Sequence, residues 1–226
     1  MTFHDITCTC AVCGAKSTQQ GAASCSGLRS PDLDFRPAET ARSAMPFWIQ
    51  VCPECGLVAP SLEEERGVTG EWLADESYRT CRGVQFRSSL AADFFRWYMI
   101  CEAEGIAVEA FHALMHAAWA CDDAKDSENA EFCRYLTLPI SQWLIRNCDP
   151  QDETEGAILS EALLIRADVL RRIKEFGQLL AEYEDVRFGG EHGELFEMAI
   201  AFHREKAEEQ DAGCYTFDDI GRPEAE

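Results

Sequence analysis

Beyond Ser88 the apolar residues recur at three- and four-residue steps, the period of amphipathic helices. Leu90, Phe94, Trp97, Tyr98 and Cys101 form a first stripe, and Glu104-Gly105 supplies its stop. Val108, Phe111, Met115, Ala118 and Trp119 form a second, closed by the polar run Asp122 to Ser127. A third helix is predicted from about Ser127 to Asn147, with Phe132, Leu136, Ile140, Trp143 and Leu144 apolar. Pro139 should kink or split it. After Asp149-Pro150, the positions Leu159, Leu163, Arg166, Leu170 and Ile173 mark a fourth helix. Leu179, Leu180 and Tyr183 mark a short fifth. Gly189-Gly190 breaks the chain before a last stripe of Leu195, Met198, Ala199 and Phe202.

Residues 1–60 have no helical period. They are rich in Cys, Ser, Thr, Gly and Pro, and Phe47 to Val51 alternates bulky and polar residues as a short strand does. Residues 61–80 read as a charged connector with one helical turn around Trp72. The expected class is therefore α+β, mostly α, with a small β head followed by antiparallel helices. The expected divisions are a metal-binding head over 1–62, a connector over 63–87, a helical domain over 88–212 and an acidic tail over 213–226. Helical hairpins joined by short polar turns are the pattern of tetratricopeptide-like repeats. The signature of that repeat occurs only in fragments such as Ala167 to Phe176, so an irregular bundle is the competing architecture.

Two cysteine pairs change the reading of the head. Cys10-Ala11-Val12-Cys13-Gly14 and Cys52-Pro53-Glu54-Cys55-Gly56 are CxxCG units with 38 residues between Cys13 and Cys52. Two intervening residues let a tight turn aim both sulfurs at one ion, and the glycine can take positive φ over the thiolates. Two such knuckles supply four thiolates, a soft donor set that favours zinc, with iron a minor alternative. A site with four protein ligands is structural and has no open position for catalysis. The competing reading, a redox dithiol, needs a CxxC opening a helix, and Pro60 follows Cys55 too soon for that. Cys8 is an alternative ligand to Cys10, and Cys25 is a further surplus thiol. Cys101, Cys121, Cys133 and Cys148 read as small buried apolar residues within helices.

Charge narrows the partners. Lys+Arg 20 against Asp+Glu 41 gives a net charge of −21, which repels phosphate backbones and argues against nucleic acid. Most of the excess lies beyond Cys81. No apolar run reaches the length of a membrane span, and the N-terminal sequence MTFHDITCTC shows no export signal, so no membrane partner and a cytoplasmic location are expected.

The loop between the knuckles, RSPDLDFRPAETAR, gathers Arg29, Asp32, Asp34, Arg36 and Arg42. Such a set can grip a charged ligand, or it can be a salt-bridge lattice that orders a loop with little core of its own. His112 and His116 lie one helical turn apart, but the intervening glutamate of a metalloprotease helix is missing and helix-face histidines are the simpler reading. No phosphate-binding loop, dinucleotide fingerprint or nucleophile elbow is present, so no catalytic residue is assigned.

The order Cys10-x-x-Cys13-Gly14, then Arg29-Ser30-Pro31-Asp32-Leu33-Asp34-Phe35-Arg36-Pro37, then Val51-Cys52-Pro53-Glu54-Cys55-Gly56 resembles the bacterial family catalogued as domain of unknown function 2225. The resemblance covers about residues 8–60 and is looser over the helices. It implies a zinc-ribbon-type head on tetratricopeptide-like helices and no established activity. The chain departs from the pattern at Leu57, where such proteins often carry an aromatic residue. The functional expectation is a zinc-binding module that engages an unknown protein or peptide. A thiol-based redox or zinc switch is the alternative, and an enzyme using the Asp/Arg loop a more distant one.

Overall fold

Two small β-hairpins open the chain and helices make up most of the rest. A computed structural model describes residues 3–22, 29–189 and 192–221. Strands β1 (Phe3–Thr9) and β2 (Lys16–Ala22) pair antiparallel, with Cys8 opposite Ser17 and Thr9 opposite Lys16. Strands β3 (Gln50–Val51) and β4 (Val58–Ala59) form a second, much shorter antiparallel pair. The strand predicted over Phe47 to Val51 is thus reduced to its last two residues. Arg42–Phe47 instead winds as a 3₁₀ turn that contains Pro46 and buries Ala44 and Met45.

The connector holds two short helices, α1 (Gly70–Ala74) and α2 (Glu76–Arg79), capped by the side chains of Thr69 and Asp75. Ahead of them Arg66 lies 4.5 Å from the centre of the Trp97 ring and within ion-pair reach of Glu64, Glu104 and Glu109. Helix α3 (Ser89–Glu104) starts at Ser88, whose hydroxyl accepts from the Ala91 amide. It ends at Gly105 with φ +73°, a left-handed cap. It packs against α4 (Ala107–Asp123).

Helix α5 (Ser127–Asn147) continues through Pro139, so the proline does not split it. Proline removes the ladder bond to Tyr135 O, and two nearby carbonyls accept side-chain bonds of their own. The Thr137 hydroxyl donates to Arg134 O (2.6 Å), while Leu138 O accepts from Ser141 Oγ (3.0 Å) and Arg166 Nη1 (2.7 Å). Helix α6 (Glu153–Arg172) follows, capped by Asp152, then α7 (Phe176–Glu182) and α8 (Gly193–Glu208). Gly190 of the expected glycine break lies outside the described residues.

The chain folds as two compact units, one of Met1–Ser26 with Glu39–Cys133, the other of Gly27–Ala38 with Arg134–Glu226. The first therefore holds both β-hairpins together with α3 and α4. Its core includes Leu57, Val58, Leu62, Leu73, Phe94, Ile100 and Leu114, all essentially inaccessible. The core of the second is built from Leu33, Leu164, Leu170, Leu179, Tyr183 and Ile200. Here residues 214–220 pair with the loop at Asp32: Leu33 N donates to Tyr215 O (2.8 Å) and Phe217 N to Pro31 O (3.1 Å). Residues 222–226 lie outside the described residues. Among the described residues no helix is long and apolar enough to cross a membrane.

Candidate metal centre

The two knuckles have the same backbone. Cys10 N donates to Ala15 O (2.8 Å) as Cys52 N does to Leu57 O (2.8 Å), and Gly14 N and Gly56 N return to Cys10 O (2.8 Å) and Cys52 O (3.0 Å). Each turn closes at a glycine with positive φ, +72° at Gly14 and +77° at Gly56. No atom lies within 4 Å of a Cβ built at either site, so space is not the reason for glycine; conformation is. One knuckle sits in the turn between β1 and β2, the other between β3 and β4.

Side-chain and backbone bonds bring the hairpins together. Ala11 N donates to Leu62 O (2.8 Å), Gln19 Nε2 to Val51 O (3.1 Å), and Gln50 Oε1 accepts from Leu62 N (3.0 Å). From α2, Tyr78 OH donates to Gly56 O (2.8 Å), which fixes the second turn.

As a result the sulfurs of Cys10, Cys13, Cys52 and Cys55 all lie within 4.8 Å of one another. Cys10 Sγ is 3.7 Å from Cys55 Sγ, and Cys13 Sγ is 3.6 Å from Cys52 Sγ. A tetrahedron with arms of about 2.3 Å has edges of about 3.8 Å, so the donor set and its spacing fit a four-thiolate ion site. The thiols do not titrate alike. Burial pushes Cys10 and Cys55 up. Burial also acts to raise Cys52, but the amides of Cys55 and Glu54 and the neighbouring thiols outweigh it and hold that thiol at about 7. Amides aimed at a sulfur stabilise the thiolate that a metal needs. Cys10 and Cys52 are buried, while Cys13 is exposed.

Cys8 is not in the cluster. It is buried in the β1–β2 ladder, with Sγ 3.5 Å from Ser17 Oγ, so it does not replace Cys10 in this arrangement. Cys25 lies outside the described residues. Cys101, Cys121 and Cys133 are fully buried, as the helical stripes require, while Cys148 is only half-buried.

The polar loop is divided among separate partners. Asp32 accepts from Arg36 Nε (2.7 Å), and the buried Asp34 lies 3.6 Å from Arg172 and 3.9 Å from Arg134. Arg42 instead pairs with Asp123 at the end of α4. Arg29 is exposed. Arg134 and Arg172 had no marker in the local loop sequence, because the helices that carry them lie a hundred or more residues away. Arg166, by contrast, stood in the predicted apolar stripe; it is 3 % exposed and forms a two-pronged pair with Glu182. His116 packs among the rings of Trp48, Phe94 and Trp119, and burial pushes it down to about 3, so it reads as a core aromatic.

Comparison with protein-family models, with curated proteins and with solved structures found no match for this chain.

Proposed function

We propose that Cys10, Cys13, Cys52 and Cys55 hold a structural Zn²⁺ and that the protein is a non-enzymatic module for binding another protein or peptide. The observation that carries the metal reading is the pair of congruent knuckles whose sulfur separations match a thiolate tetrahedron. Zinc has no ligand-field preference to oppose this geometry and suits four soft donors. The ion would link two hairpins that otherwise share only a few hydrogen bonds, giving a head of zinc-ribbon type. The likeness of residues 8–60 to the family of domain of unknown function 2225 supports the same reading. The antiparallel α3–α4 pair supports a tetratricopeptide-like body, whose surfaces would bind the partner.

Elemental analysis of the purified protein tests the metal. About one equivalent of zinc is expected per chain, falling below about a tenth in Cys52→Ser. Stoichiometric iron, or zinc retained undiminished by Cys52→Ser, would overturn the assignment. For the module reading, the intact zinc-loaded protein is used as bait in native lysate. Recovery of one stoichiometric partner is expected, and a folded protein that recovers none counts against it.

A further inference from the structure

Within the second unit a groove of about 530 Å³ runs along the first half of α6, bounded by the start of α8 and the segment before it. That is room for one small molecule. Helix α6 offers it the small residues Gly156, Ala157 and Ser160, and three phenylalanine rings line it. Phe35 and Phe188 both meet Phe196 edge to face, with ring centres 6.4 and 5.6 Å away. All three rings are half-buried, packed on the core of the unit and still open to the groove.

Phe35 is held there under strain. Its φ is +63°, a left-handed conformation that is rare for a bulky side chain. The polar loop between the knuckles enforces the turn. Phe35 N donates to Asp32 O (2.8 Å), Asp32 N to Arg36 O (2.9 Å), and Arg36 Nε to the Asp32 carboxylate (2.7 Å). Strain enforced by its surroundings is typical of places where a chain clamps a ligand. The charges of this loop thus serve to present a ring.

The charge around the rings selects the ligand. Asp152, Glu153 and Glu161 line the groove against Arg187, whose Nη1 donates to Val186 O (2.9 Å). The start of α6 does not favour an anion, since Asp152 Oδ1 already accepts from the Thr154 and Glu155 amides (2.9 Å each). We propose that this groove binds a small organic cation, an ammonium group carried on an apolar or aromatic body.

The body of the ligand lies against Phe35, Phe188 and Phe196, because aromatic rings attract a cation as well as apolar surface. The ammonium is held at the carboxylate rim by charge-assisted hydrogen bonds. The net charge of −21 concentrates such a ligand near the protein and excludes anions of the same size. The site is independent of the four cysteines, which belong to the other unit.

Amide NMR titrations of the full zinc-loaded chain test the site. The probe is phenethylammonium, with 2-phenylethanol as its uncharged counterpart and phenylacetate as an anion. Saturable shifts are expected at Glu153, Ala157, Phe188 and Phe196, with the ammonium bound at least about tenfold more tightly than the alcohol. Phenylacetate should not bind. Glu153→Gln should weaken the ammonium about threefold and leave the alcohol unchanged. Phe196→Leu keeps apolar bulk but removes a ring, and should weaken the ammonium about tenfold. Ala157→Leu, at an exposed helical position that tolerates leucine, should block both ligands. Circular dichroism checks that each variant is folded. Shifts that never saturate or spread over the acidic surface would reduce the effect to diffuse counterion attraction and overturn the site. Equal affinity for ammonium and alcohol, binding indifferent to Ala157→Leu, or a basic peptide bound here in place of phenethylammonium would overturn it as well.

Discussion

At Gly14 and Gly56 the chain turns over the thiolates with positive φ, and nothing but the missing Cβ makes that turn inexpensive. A left-handed alanine costs about 1–2 kcal/mol. We expect Gly56→Ala to destabilise the second knuckle by that amount and to weaken metal retention against a chelator about tenfold. Gly70, with equally open surroundings but no positive φ at the start of α1, is the control; Gly70→Ala should leave retention unchanged. Both cysteine pairs and both glycines were legible in the sequence because a knuckle is local, written within five consecutive residues. The ion pairs of Asp34 were not legible: their geometry depends on where two distant helices place Arg134 and Arg172.

His203 is another residue whose surroundings come from distant chain, and here the consequence is measurable. Its ring is fully buried on α8, and its Nδ1 accepts from Arg171 Nε (3.1 Å), so a second positive charge there would face a buried guanidinium. Burial first, then Arg171, push it from 6.5 to about 3. The unfolded chain therefore takes up a proton that the folded chain refuses, and stability is present above pH 6.5 and lost as pH falls towards 3. By pH 5 the loss from this one group is about 2 kcal/mol. Urea titrations near neutrality and near pH 5 should show a drop that is about 2 kcal/mol smaller in His203→Gln than in the parent. Equal drops in the two proteins would show that the ring is protonated in the fold.

For elements, the helical stripes and their punctuation foretold α3 to α6 closely. Ser88 and Gly105 act as caps where the pattern placed a start and a stop, and α5 spans the residues the pattern marked. The error at Phe47 to Val51 has a plain cause. Alternation of bulky and polar residues over so few positions is weak information, and Pro46 with the buried Ala44 and Met45 favours a tight turn there. At Pro139 the split does not occur: the helix continues past the proline although the ladder bond to Tyr135 O is lost. Even so, the lost ladder bond has a cost. Pro139→Ala should raise the stability by about 1–3 kcal/mol, read by thermal unfolding. No gain would mean that the missing bond carries no net cost in this helix.

Taken as a whole molecule, the two hairpins differ in what supports them. The β3–β4 turn carries Leu57, Val58 and Ala59 into the core of the first unit, where each is fully buried. The longer β1–β2 ladder has His4, Asp5, Thr7 and Thr9 exposed, and buries little besides Cys8 and Cys10. An isolated two-stranded hairpin is marginal in water. Its attachment is therefore expected to rest on the metal more than on packing. On chelation at neutral pH, backbone amides of residues 4–22 should lose protection from hydrogen exchange by orders of magnitude, as in small metal-nucleated folds. Amides of residues 57–62 and of α3 and α4 should change far less, and helical circular dichroism should persist. Collapse of the helices on chelation would show instead that the ion organises the whole first unit. Unchanged protection in β1–β2 would show that the hairpin bonds through Ala11 and Gln19 hold it without the ion.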